Sequence, residues 1–427
     1  ASLGSYVERC RWFFVLAPMV LHEEGHLTDY NTWKSRGWCR FERLARVLTP
    51  AADTSVIVIK DDTAVSQAFA PQWLSEPVGC GSFTVESDRS RLAMKLADMV
   101  QKKMQHLSSS GFVTEYRRWM ASLASLFRGL STDWRSLLPI EYSHAGEAGN
   151  SRHMFLANDV CGASMLHVAV GLGNVEVIEA LLSNKACVNE KERRDSPAFG
   201  IFGGMRPLHV AALHGHATAV RVLLQRGADG GALSRIGDTP MSIAMVSDVL
   251  EVQQELIRSR ADLSGRNLFG LSLLDVAVVH NKANSVRFAL SANIPRGCNN
   301  HGMNSLHHAA SCDSMREITT MLVEAGISLT ERFRPKFGSI WWLISSRSRL
   351  SYRLGSRGRM DFFFFHGLGG TPLHWAAAAG SMSCLRTLMG LRADPMLRND
   401  DGASVEDILA ANGSEAPSLN LFPVLPY

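Results

Sequence analysis

Two periodicities divide the chain. From residue 158 onward, apolar residues return at the three-and-four spacing of short helices, whereas before residue 136 near-continuous apolar runs alternate with helical stretches. Arg11–Ala17 (RWFFVLA) and Ser55–Lys60 (SVIVIK) have the character of buried strands, and Phe83–Glu86 predicts a short third one. Gly37–Leu48 predicts a helix with Trp38, Phe41, Leu44 and Ala45 on one face. Asp88 is placed to N-cap a long helix that buries Leu92, Leu96, Met99 and Val100, and Glu115–Leu130 predicts a further amphipathic helix bridging to the second region. Strand–helix–strand with apolar strands predicts an α/β module over residues 1–135, its parallel sheet covered on both faces.

The second region repeats itself. Ser164-Met-Leu-His-Val-Ala, Arg206-Pro-Leu-His-Val-Ala-Ala, Thr239-Pro-Met-Ser-Ile-Ala, Ser272-Leu-Leu-Asp-Val-Ala, Asn304-Ser-Leu-His-His-Ala-Ala and Thr371-Pro-Leu-His-Trp-Ala-Ala are copies of one unit, and a weaker seventh starts at Ser404. Successive starts lie 42, 33, 33, 32, 67 and 33 residues apart, so the period is 33 with insertions. Each copy has a physical logic. A hydroxyl caps a helix, Pro fits its first position as Pro372 does after Thr371, and Ala lets neighbouring helices approach. A Gly then breaks the chain before a second helix. The pattern resembles the ankyrin repeat family over residues 158–415, six repeats and a partial C-terminal cap. The resemblance implies a solenoid of helix pairs with projecting turns and a concave face that binds protein, and it implies no catalysis. Residues 136–157 are expected to link or cap the array, and 416–427 to form a tail.

The departures carry information. The glycine that ends each second helix is kept only at Gly227 and Gly326; Lys185, Arg260, Asn293 and Arg392 replace it elsewhere, and Lys or Arg in the left-handed region costs about 1 kcal/mol. A softened array is expected, weakest at the third and fourth repeats. His167, His209, His307 and His374 recur once per unit and are expected to bond to backbone, not to ligand. Partner contacts are expected at finger tips and first helices, with Arg206, His214 and His216 as candidates in the second copy.

Net charge is only +4, which gives no argument for nucleic acid. Residues 331–360, however, hold eight Lys/Arg against Glu331 alone, and Trp341, Trp342 and Phe362–Phe365 lie in the same stretch. The segment 331–369 lacks the repeat core and falls where a finger loop belongs. It is expected to be an unstructured loop whose removal leaves the array folded, and the weaker alternative is a basic, aromatic arm for anionic lipid or RNA. No apolar run approaches the ~20 residues that span a bilayer. Eight scattered cysteines without a C-x-x-C pair suggest reduced thiols and a cytoplasmic location. The chain opens without Met inside what reads as a helix (SYVERC), so sequence upstream is expected.

Two chemistries compete in the α/β module. His22-Glu23-Glu24-Gly25-His26 fits the H-E-x-x-H pattern of zinc peptidases, with Glu42 the one tempting third ligand. Its flanks, VLAP before and LTDYNTW after, favour an exposed polar loop. The strand ending VLAP followed by Trp38-Cys39-Arg40-Phe41-Glu42 is similar to the second half of Toll/interleukin-receptor (TIR) domains over some fifty residues. In members that cleave NAD the matching glutamate is catalytic, which would make Glu42 the catalytic residue here. Arg36-Gly37 departs from that pattern, and pairing of Glu42 with Arg46 one turn on is the plain alternative. The expected whole is mixed: a TIR- or flavodoxin-like α/β module used for association or signalling, joined to an ankyrin scaffold that binds a protein partner. It needs no cofactor, and an interaction protein is favoured over an enzyme.

Overall fold

A computed structural model describes residues 13–18, 20–21, 27–49, 56–59, 65–67, 76–130, 133–138, 165–193, 195–292, 294–295, 297–299, 302–356 and 358–412. The fold is mixed: a small sheet with helices near the N-terminus, then stacked helix pairs. The chain divides into two compact units, Ala1–Asp229 and Gly230–Leu425.

In the first unit the two apolar runs form β1 (Phe13–Leu16) and β4 (Val56–Ile59), paired in parallel from Phe13↔Val56 to Leu16↔Ile59. The third strand is not at Phe83–Glu86. It is β5 (Val65–Gln67), antiparallel to β4, giving the order β1-β4-β5. Residues 83–86 cannot extend because helical turns begin within them: the Asp88 and Arg89 amides bond to the Val85 and Glu86 carbonyls. Among the described residues the sheet is also covered on one face only. Val15, Ala17, Val56 and Val58 are buried against Phe13, Tyr30 and Trp33, while Phe14 and Leu16 on the other face are exposed. A short antiparallel pair, β2 (Val20–Leu21) with β3 (Leu27–Thr28), brackets the His22–His26 pentad, which lies outside the described residues.

α1 (Tyr30–Ser35) leads into α2 (Gly37–Leu48), whose Phe41, Leu44, Val47 and Leu48 are buried, and α2 packs against α3 (Asp88–Ser109). Leu92, Leu96, Met99 and Val100 are buried as the periodicity required. Asp88 is the first helical residue, not the cap, and its carboxylate accepts the Trp38 indole N–H at 2.8 Å. Next comes α4 (Val113–Leu126). Two repeats complete this unit: α5 (Met165–Gly171) with α6 (Val175–Ser183), and α7 (Pro207–Leu213) with α8 (Ala217–Gln225). α4 packs against α5, and Trp119 meets Phe199 edge-on at 5.1 Å. Arg118, fully buried, bonds Glu115 at 2.7 Å and the equally buried Glu192 at 2.8 Å, tying α4 to the loop between the two repeats.

The second unit holds α9 (Pro240–Ser247) with α10 (Leu250–Arg258), α11 (Leu273–Val279) with α12 (Ala283–Ser291), α13 (Ser305–Ser311) with α14 (Arg316–Glu324), α17 (Pro372–Ala379) with α18 (Met382–Gly390), and α19 (Val405–Asn412). The insertion is no unstructured loop. It forms a helical hairpin, α15 (Ile340–Arg353) and α16 (Arg359–Gly367). Ser339 caps α15 by accepting the Trp342 N–H at 3.1 Å. The four phenylalanines sort by helical direction: Phe363 and Phe364 are buried, Phe363 standing edge-on to Trp375 at 4.7 Å, while Phe362 and Phe365 lie against Tyr352. Positive charge and aromatic density mimic a loop in composition, although the apolar spacing is helical. The flanking repeats also meet each other directly: the Asp313 carboxylate accepts the Cys384 N–H at 2.9 Å, and the His307 ring stands edge-on to Trp375. No helix among the described residues is long and apolar enough to cross a membrane.

Candidate interaction surface

The repeat histidines lie at the third position of each first helix. His167, His209, His307 and His374 are fully buried. Nδ1 of His209, His307 and His374 accepts the backbone N–H of the capping residue Arg206, Asn304 or Thr371 at 3.1 to 3.2 Å. Nε2 of His167 reaches the Met205 carbonyl and Nε2 of His307 the Gly370 carbonyl, each in the next repeat. Burial pushes His307 down to about 3 and also lowers His374, so both rings are neutral at physiological pH. Pro372 occupies the first turn of α17. The third and fourth repeats put Ser242 and Asp275 at the histidine position. Asp275 accepts from the Ser272 hydroxyl at 2.7 Å and the Ser305 hydroxyl at 2.6 Å, with Arg266 3.4 Å away.

Arg206, His214 and His216 are not bare tips. Arg206 pairs with Asp229 at 2.7 Å. His214 Nε2 contacts the Phe199 carbonyl at 2.9 Å and His216 Nε2 the Gly171 carbonyl at 3.0 Å, and both rings are half-buried. Burial drives His214 down to about 4 and lowers His216 as well. The two histidines therefore bond back to the chain before their repeat, and Arg206 is paired within its own repeat.

The outward surface of the second unit is built by a feature that sequence reading passed over. Asn267, Asn299 and Asn399 each accept, through Oδ1, the amide four residues on, from Leu271, Met303 and Ala403. Three residues after each stands a glycine with positive φ: Gly270, Gly302 and Gly402. Asn-x-x-Gly at these three places is the signal that could have found them; the side-chain amide closes the turn and glycine accepts the left-handed backbone. Ser234 and Gly237 form the matching turn one repeat earlier. Adjacent turns are joined, since the Leu268 N–H bonds to the Ile236 carbonyl and Asn267 Nδ2 to the Asp238 carboxylate. Rigid turns thus hold Arg235 and Leu268 outward and leave Ile236 and Phe269 half-exposed. The last turn is already engaged: Asp400 pairs with Arg334, and Asp401 with Arg349 and Arg353 at 2.6 and 2.9 Å.

Glu42 stands half-buried on α2, and burial raises its carboxyl above the usual range against the pull of the Arg36 guanidinium. The other two members of the zinc pattern, His22 and His26, lie outside the described residues. Among the described residues no group of three or more His, Cys, Asp or Glu is placed to hold a metal.

Residues 145–234 match the family model for ankyrin repeats in three copies, and residues 368–400 match that for a single ankyrin repeat. Rabankyrin-5 of Mus musculus is 29% identical over 243 residues, 54% of this chain and 17% of that protein. Neurogenic locus notch homolog protein 4 of Homo sapiens is 39% identical over 89 residues, 21% of this chain and 4% of that protein. The chain thus spans less than a fifth of either relative. Among solved structures, the ankyrin repeat domain of Bcl-3 (21% identity, TM-score 0.41) and that of human ASB11 (20%, 0.42) each cover 59% of this chain, with 99% and 95% of those domains matched. The TIR resemblance around Trp38 gains no support from these comparisons.

Proposed function

Starting from a chain that carries ankyrin repeats, we propose that it is a protein-binding scaffold acting inside the cell, with the turns of the second unit as its contact surface and the α/β module as an association element. The observation that carries this reading is the pair of linked turns presenting Arg235, Ile236, Leu268 and Phe269 on a fixed backbone. Preordered loops lose little entropy on binding, and an exposed leucine beside an aromatic and a guanidinium is the composition of an interface centre. Arg206 of the second repeat is a further contact in this reading; His214 and His216 hold the repeat that presents it. The test is proximity labelling with the full chain against Leu268→Lys. The expected outcome is one set of labelled proteins lost in the variant with an unchanged melting temperature. Labelling that survives Leu268→Lys, or is lost with the fold, overturns the assignment of the surface.

A further inference from the structure

α15 packs one apolar face on α16 and leaves a second apolar row in water. Its inner face toward α16 carries Trp341 and Tyr352 beside the buried Ser345 and Ser348, and its outer face carries Leu343, Leu350 and, at the C-cap, Leu354, exposed to 56%, 61% and 78%. At about 100° per residue the three leucines and Arg347 fall within an arc of about 60°, a ridge about 17 Å long. Phe337, just before the helix, is 85% exposed, with its ring 4.5 Å from Trp342, and Met360 opens α16 exposed. The Ser351 and Ser356 hydroxyls donate to the half-exposed Asp361 carboxylate at 2.8 and 2.6 Å, which ties the two helices together near the turn that joins them.

Cations surround this ridge. Lys336, Arg347, Arg353 and Arg359 are exposed around it; of the acids at the segment, Asp400 and Asp401 are held by Arg334, Arg349 and Arg353, and Asp361 accepts from two serines near Arg347. We infer that α15 is a membrane-surface helix whose leucine ridge enters an anionic lipid leaflet. The ridge is convex and one helix wide. A protein partner would have to offer a matching groove with an acidic rim, whereas a leaflet supplies apolar depth and negative headgroups at every point. Arginine suits the boundary, because its apolar stem follows the leucines inward while the guanidinium returns to the phosphates.

The test uses the full chain with phosphatidylcholine vesicles and with vesicles containing phosphatidylserine, read by co-sedimentation. The expected result is sedimentation with the anionic vesicles alone, reversed by salt. The triple variant Leu343→Ser, Leu350→Ser, Leu354→Ser loses at least about tenfold in affinity, since each removed side chain is one that enters the lipid. Arg347→Gln loses about fivefold, one cation near the surface. Circular dichroism melting checks the fold. Should the triple variant unfold, Leu350→Gln decides: weakened binding supports the inference and unchanged binding overturns it. A wild-type chain that stays in the supernatant, or that pairs with itself through these leucines and ignores lipid, also overturns it.

Discussion

The repeats of the two units solve one problem differently. Each first helix ends in a left-handed residue beside the start of the next repeat's second helix, where backbone N–H groups need acceptors. In the first unit that residue is Gly173, φ 66°, and the His216 ring lies against it; a Cβ there would stand 2.8 Å from the imidazole. The bond across the junction is His216 Nε2 to the Gly171 carbonyl. In the second unit the third, fourth and fifth repeats hold Asp248, Asn281 and Asp313 at the same position, all with positive φ, and the sixth returns to glycine at Gly380. Their side chains accept the amides of Ser285 at 2.7 Å, Met315 at 3.0 Å and Cys384 at 2.9 Å. Left-handed Asp or Asn costs about 1 kcal/mol, and an N-terminal acceptor returns about the same. Glycine and histidine give a junction of rings and packing; aspartate and asparagine give one of side-chain caps.

The comparison breaks most easily at Arg118. Arg118→Ala leaves Glu192 buried without its guanidinium and should cost about 3 kcal/mol. Hydrogen exchange should rise in α4, α5 and α7 and stay unchanged in α11 and α13; uniform acceleration would show that the two units open together. At Asp313, Ala keeps the strain and removes the acceptor, so urea unfolding should show a loss of about 1 to 2 kcal/mol, whereas Gly removes both and should lose less. Equal losses would mean that the cap does nothing. The last effect is felt only in acid, at His214 beside the histidine junction. His214 falls to about 4 in the fold against an ordinary value near 6.5, so the folded chain binds fewer protons between the two. Its contribution is complete above pH 6.5 and is lost as pH falls toward 4. A plot of stability against pH should flatten in this window for His214→Gln, and an unchanged slope would remove His214 from the account.

Much of this could be read in the sequence. The repeat positions, the helices at Gly37–Leu48 and Asp88–Ser109, and the left-handed Lys185, Arg260 and Arg392 all come from spacing and turn chemistry. Asn293, in the same series, lies outside the described residues. What escaped depended on partners distant in the chain. Nothing local tells that Asp248 meets Ser285, or that Asp401 gathers arginines from a segment some fifty residues earlier. The strand at Val65–Gln67 escaped because three residues carry too little periodicity to register. The Asn-x-x-Gly turns are local and legible at Asn267, Asn299 and Asn399, but the spacing is short and common, so it is a weaker signal than the repeated histidine and proline that follow it.

The insertion leaves and rejoins the second unit at a single point. The Phe333 N–H bonds to the Gly370 carbonyl, and the Phe333 carbonyl accepts from Gly369. Closing a longer loop across an anchored gap adds cost only logarithmically. In evolutionary terms the fifth-to-sixth junction is a docking port, where chain entropy sets little limit on the length of the segment it carries.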